Sequence, residues 1–150
     1  MTAIEVPDGV RAMIYAHALA MFPEECCGYL TGLRDGTTVD GLVTCRNAQV
    51  DGEHPITPER GPESGFVIAG AELFAFARAF DGSTPPRIVY HSHGNGLAYF
   101  SDVDRHMARS SDYPVQHLVI GVASGEVTEV AQYAWSADAA DFVEVARWRP

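Results

Sequence analysis

The sequence has no lysine: all ten basic residues are arginine, set against 20 acidic ones, and the formal charge is −10. Phosphate backbones and anionic lipid surfaces are gripped by clustered Lys and Arg, so this balance argues against nucleic acid and membrane as partners. Cysteine is scarce as well. Cys26, Cys27 and Cys45 are too few to staple 150 residues, and an odd count with two adjacent reads as reduced thiols in a cytoplasmic protein. No apolar run approaches the roughly 20 residues of a membrane helix. Ala12 to Phe22 is apolar, but its leader, Met1 to Gly9, carries Glu5 and Asp8 and no positive charge, so it is expected to be mature sequence. There is no Gly-x-Ser-x-Gly elbow, phosphate loop or dinucleotide fingerprint.

What is present is an ordinary globular composition, 47% hydrophobic and 20% charged. A chain of this length fits one domain and buries roughly 70% of its unfolded surface. Val10, Met13, Ile14, His17 and Met21 recur at helical spacing after Pro7-Asp8-Gly9, which predicts a first helix near residues 8–21, closed by Pro23. Two short runs, Cys26 to Leu33 and Val39 to Cys45, divided by Arg34-Asp35-Gly36, predict a hairpin. Residues 47–65 are polar and hold Pro55, Pro58 and Pro62; so long a loop in a compact domain is commonly functional or mobile. A second helix is expected over 70–80, a buried strand over 87–91 and a short helix after Ser101. Strands over 115–123 and 127–135 flank a Ser124-Gly125 turn, and an apolar segment at 142–148 closes the chain. Strands interleaved with helices make an α/β or α+β domain.

The chemistry concentrates between Tyr90 and Arg105, YHSHGNGLAYFSDVDR. Side chains two apart on a strand share a face, so His91 and His93 can approach one metal ion. Imidazole suits zinc, and a catalytic zinc takes three protein ligands with a fourth position left for water; Asp104 is the natural third. Ser101-x-x-Asp104 also suits a helix N-terminus, with a Ser cap and an acid at the third helical position. A capping helix would hold Asp104 rigidly against the histidines. The other candidates read as structural: His17 on an apolar helical stripe, His117 inside a strand, and Cys26 and Cys27 as buried thiols. His106 is turned away from the metal, and His54 lies in the polar loop, free to touch substrate.

His91-x-His93, seven residues, then Ser101-x-x-Asp104, with Glu24-Glu25-Cys26-Cys27-Gly28 upstream, resembles the JAMM (MPN+) metalloprotease family. The resemblance covers most of the chain, because helix, Glu-bearing strand, second helix, His-bearing strand and Ser/Asp helix come in the family's order. It implies one domain over residues 1–150 with a mixed α/β (α+β), cytidine-deaminase-like fold, a curved and largely antiparallel sheet flanked by the helices at 8–21 and 70–80. Carried onto these residues, it makes His91, His93 and Asp104 the ligands of one Zn2+ per chain. Ser101 would hold the oxygen of the tetrahedral intermediate. Glu25, three residues before Gly28, best matches the family's proton-carrying acid, with Glu24 as the fallback. One departure is that Gly94-Asn95-Gly96 follows the second His where many members have Pro, which predicts a more mobile loop beside the metal.

The activity so implied is that of a zinc metalloprotease hydrolysing peptide or isopeptide bonds. Small free-standing bacterial-type members resemble this chain in size, and some trim or release adducts from the Gly-Gly tail of ubiquitin-like sulfur-carrier proteins. The expected substrate is therefore such a carrier, with ubiquitin-like conjugates and cell-wall-type peptides as alternatives. A non-catalytic MPN scaffold is the rival of another class, and the intact ligand set argues against it. The 47–65 loop is the one sizeable element left to act as a lid or a docking surface for the carrier.

Overall fold

The computed structural model describes residues 2–150. In chain order it runs α1 (Asp8–Met21), β1 (Cys27–Thr31), β2 (Gly41–Cys45), a 3₁₀ turn (Ala48–Asp51), α2 (Gly70–Ala79), β3 (Pro86–His93), α3 (Asp102–Ser111), β4 (Gln116–Ala123), β5 (Glu126–Ser136) and β6 (Asp141–Trp148). No helix among the described residues is long and apolar enough to cross a membrane. Asp8 sits in the first turn of α1, and Val10, Ile14 and Ala18, four apart, form its buried stripe.

Six strands form one sheet in the order β2-β1-β3-β4-β5-β6. Every pairing is antiparallel except β3 with β4. Parallel neighbours cannot be joined by a tight turn, and the crossover between these two carries α3. The fold is thus the mixed, largely antiparallel sheet with helices that the sequence predicts. β3 reaches His93 instead of stopping at His91, because β4 pairs alongside it, Val119 with His91 and Gly121 with His93. The closing apolar segment is a full strand, β6, paired along β5.

The two faces of the sheet follow from the period of two. Ile88 and Tyr90 of β3, Leu118, Ile120 and Val122 of β4, and Leu30 of β1 join Val10, Ile14 and Ala18 of α1 in the main core. The alternate residues point the other way. Val89, Cys27, Tyr29 and Cys45 pack with Phe76 of α2, and Val119, Ala131, Tyr133 and Phe142 pack with Ala98 and Phe100 of the segment before α3 and with Ala108 of α3. His91 and His93, in step with Val89, therefore fall on the α2–α3 face.

The turn after His93, whose glycines lead one to expect mobility, is held by hydrogen bonds to its surroundings. Gly96 O accepts from Thr128 Oγ1 at 2.6 Å, Leu97 N donates to Asn95 Oδ1 at 3.1 Å, and Ala98 N donates to Glu129 at 2.8 Å. Gly96 has φ +79°, a left-handed conformation that glycine adopts without strain. Its carbonyl lies against Gly121, where an added Cβ would come within 2.5 Å of Gly96 O. We expect Gly121→Ala to push this turn outward and destabilise the fold by about 1–3 kcal/mol, as overpacking does, measured by urea denaturation.

Candidate metal centre

Cys27 of β1 is the strand partner of His91. One residue earlier the ladder continues, with Ser92 N donating to Cys26 O at 3.1 Å and Cys26 N donating to Ser92 Oγ at 2.8 Å. Extending that register one further step sets Glu25 opposite His93 and on the face of Cys27. The strand itself begins at Cys27, so Glu25 stands just before it. Its backbone is clamped by the 47–65 loop: Glu25 N donates to Pro62 O at 2.7 Å and Asn47 Nδ2 donates to Glu25 O at 3.0 Å. Glu24 instead turns back to Met21 and is less buried.

Asp104 arrives from the other side. Ser101 caps α3 with a reciprocal box, its Oγ accepting from Asp104 N at 3.1 Å while Asp104 Oδ2 accepts from Ser101 N at 3.0 Å. That cap aims the carboxylate inward, so the structural and chemical readings of Ser101-x-x-Asp104 coincide. Asp104 Oδ2 lies 3.2 Å from His91 Nε2 and 3.7 Å from His93 Nε2, and the two nitrogens are 3.1 Å apart. Ligand atoms about 2.0–2.1 Å from a tetrahedral zinc stand roughly 3.3–3.4 Å from one another, so the triangle fits the ion. A Glu25 oxygen lies within 4.8 Å of one ring nitrogen of each histidine. Two imidazoles and two carboxylates thus converge: Glu25, His91 and His93 form one cluster of possible ligand atoms, and Asp104 Oδ2 lies 3.2 and 3.7 Å from the same two rings.

Neighbouring contacts fix the rings. His93 Nδ1 meets Leu97 O at 3.0 Å; donating there leaves the Nε2 lone pair for a metal. Phe66 stacks on His91 at 4.3 Å between ring centroids, and Tyr99 covers His93 at 4.6 Å. Burial lowers the His91 pKa, partly offset by Asp104, which favours the neutral ligating ring. Burial also pulls His93 down, but its hydrogen bond to Asp104 and the charge of Glu25 prevail, and the net direction is up. Burial works against ionised Asp104, yet the charge and hydrogen bond of His91, with help from His93 and the Ser101 N–H, hold its carboxyl well below the usual range. Burial pushes Glu25 up to about 8, with Asp104 adding to the shift and His93 and Arg60 opposing it.

The remaining sequence candidates fall as follows. His17 Nδ1 bonds Tyr90 OH at 2.7 Å beneath the sheet, on the opposite face. His117 packs between Phe100 and Phe142, and burial lowers its pKa to about 4. His106 is exposed. Cys26, Cys27 and Cys45 are free and buried, and burial pushes Cys26 and Cys45 up to about 12, the range of inert thiols. Sequence reasoning missed Asn47 and Phe66. No spacing rule marks them, because their roles exist only where distant segments meet.

A family model for the prokaryotic homologs of the JAB domain matches residues 7–137. The chain is 30% identical over 105 residues to the CysO-cysteine peptidases of Mycobacterium tuberculosis and Mycobacterium bovis, a match covering 70% of this chain and 64% of each relative. It therefore spans less than two thirds of those relatives' length. Among solved structures, a protein from Desulfitobacterium hafniense superposes with a TM-score of 0.64 at 22% identity, over 93% of this chain and 87% of its own. A JAB1/MPN domain protein from Archaeoglobus fulgidus superposes with a TM-score of 0.54 at 15% identity, over 97% of this chain and 96% of its own. Both share the fold.

The raised pKa of Glu25 has a consequence for the metal-free chain. Between the unfolded value near 4.5 and the folded value of about 8, the native state keeps a proton that the unfolded state has lost. Stability from this group is therefore full in acid and is lost as pH rises through that window. With chelator present, Glu25→Gln should match the wild-type thermal midpoint at pH 5 and exceed it at pH 9. An equal midpoint difference at both values would contradict the assignment.

Proposed function

The chain belongs to the prokaryotic JAB-domain family, and from that premise we propose that it is a zinc-dependent peptidase cleaving after the C-terminal Gly-Gly of a small ubiquitin-like sulfur-carrier protein. The convergence of His91 Nε2, His93 Nε2 and Asp104 Oδ2 within 3.1–3.7 Å of one another, beside the buried carboxyl of Glu25, supports the hydrolase reading most directly. One zinc per chain would be held by His91, His93 and Asp104. Zinc in such a site supplies Lewis acidity, acidifying water to a pKa of about 7 and polarising the scissile carbonyl.

The protein's own groups do the rest. Glu25 accepts the proton of the attacking water on its carboxylate and passes it to the leaving nitrogen. Its backbone clamp keeps that carboxylate in one place through both transfers. Ser101 Oγ accepts from Asp104 N, which leaves its O–H free to donate to the developing oxyanion; one such donor is typically worth about 3 kcal/mol. A non-catalytic scaffold would not need this donor set buried together.

The substrate rests on different support. The related mycobacterial proteins are named CysO-cysteine peptidases, a name that pairs a carrier with a small adduct. Only residues 112–115 join α3 to β4, which leaves little room for the insertion that ubiquitin-chain-specific relatives use to grip a second ubiquitin. A Gly-Gly tail is narrow and extended and suits a groove beside a buried metal. Free, buried thiols fit a cytoplasmic setting.

Three measurements test this. Elemental analysis of zinc-reconstituted protein should give one zinc per chain, lost in His91→Ala, His93→Ala and Asp104→Ala. Glu25→Gln should keep the metal and lose about 10²–10⁴-fold in kcat; full activity there, with Glu24→Gln dead, would move the acid by one residue. Separately, a Gly-Gly carrier extended by one or two residues should be trimmed to a free terminal glycine, read by intact mass. An unchanged mass alongside cleavage of unrelated peptides would discard the carrier and keep the hydrolase.

A further inference from the structure

A cavity of about 430 Å³ lies between α2 and α3 over the sheet, with Asp104 in its wall. Its lining is mainly apolar, including Phe66, Leu73, Phe76, Met107 and Tyr113. Phe66 also stacks on His91, so cavity and metal centre share two walls. His54, 4% exposed, contributes a polar group to the lining. Its Nδ1 accepts from Ile56 N at 3.1 Å and Thr57 N at 3.0 Å. A ring nitrogen that accepts carries no proton, so the hydrogen sits on Nε2. The 54–57 turn thereby locks one tautomer and leaves the N–H at Nε2 of a residue that lines the cavity.

We propose that this cavity receives the side chain of the residue released by cleavage, that it selects an apolar one, and that His54 Nε2–H donates to that residue's main-chain carbonyl. The inference rests on the peptidase reading above. A Gly-Gly tail has no side chain to fill such a space. A cavity walled by Asp104 is reached from the scissile bond within about one residue. The leaving residue's Cα is one step of about 3.8 Å from the last glycine, whereas the nearest side chain on the carrier side is two steps away. The residue after the scissile bond is the one whose side chain fits both limits. Its main-chain carbonyl is then the acceptor nearest the cavity mouth, and a donor that is neutral at every pH above the His54 titration suits it.

The test uses zinc-loaded protein and peptides ending Gly-Gly-X-Gly, with X as Leu, Phe, Ala or Asp. Turnover should favour Leu and Phe over Ala by at least about tenfold in kcat/KM, the range a filled apolar pocket gives, with Asp poorest. Ala108→Phe and the more exposed Leu73→Trp, which narrow the cavity from two sides, should each drive the Leu-to-Ala ratio toward one. His54→Asn keeps an acceptor for Ile56 and Thr57 and removes the Nε2 donor. It should raise KM for the Leu peptide about tenfold, leaving kcat within twofold and the thermal midpoint in place. Binding of the same peptides to zinc-loaded Glu25→Gln, by calorimetry, reads the pocket without turnover. A preference for Leu and Phe in binding with no cleavage by wild type would sink the peptidase reading and leave the pocket. Cleavage or binding indifferent to X, or a ratio untouched by both cavity variants, overturns the pocket while the peptidase stands.

Discussion

Two carboxylates and two imidazoles are buried against one another, and that arrangement is the constraint around which the molecule is organised. Each ionised group taken from water costs several kcal/mol unless it is paired and hydrogen-bonded. Asp104 meets that demand through the Ser101 N–H and the two ring nitrogens, and its carboxyl stays ionised. Glu25 has fewer partners, and in the metal-free chain burial pushes its carboxyl up to about 8. One site thus holds two acids with opposite pKa shifts, and a cation bound between the rings and Asp104 would favour the ionised carboxylate at Glu25.

The long polar segment after β2 serves that arrangement. It reads in sequence as a lid or docking surface, and its Asp51, Glu53, Glu59, Arg60, Glu63 and Ser64 are exposed, but four other polar residues turn inward. Asn47, Gln49, His54 and Thr57 are all buried. Asn47 ties Glu25 O, Gly65 O and Val67 N together, and Gln49 Nε2 holds the carbonyls of Thr57 and Arg60 at 2.8 Å each. The loop is a hydrogen-bonded brace that replaces secondary structure and delivers Glu25 to the metal centre from the flank. Much of its polarity is spent on its own carbonyls and N–H groups, as buried irregular backbone demands.

The sheet supplies the opposite wall. Because β3 is central and paired on both sides, His91 and His93 cannot slip register without moving the Ile88 and Tyr90 side chains out of the α1 core. Gly121, facing Gly96 without a side chain, lets the next turn fold back close enough for Leu97 O to take His93 Nδ1. Packing on one face of the sheet therefore fixes the chemistry on the other.

Local pattern was enough to find the helices at 8–21 and 70–80, the 26–45 hairpin, the His91–His93 pair and the Ser101–Asp104 cap. Each rests on a period or a spacing of four residues or fewer, and such spacings translate directly into a shared face. The full motif also named Asp104 as the partner of the histidines and preferred Glu25 to Glu24. What the spacing could not carry was the placement of residues far apart in the chain. The anchored turn at 94–97, the inward-turned loop, the clamp of Asn47 on Glu25 and the His54 tautomer arise where residues 20 or more apart meet or where a loop closes on itself. Those contacts depend on how the sheet and helices pack, and only the tertiary structure decides that.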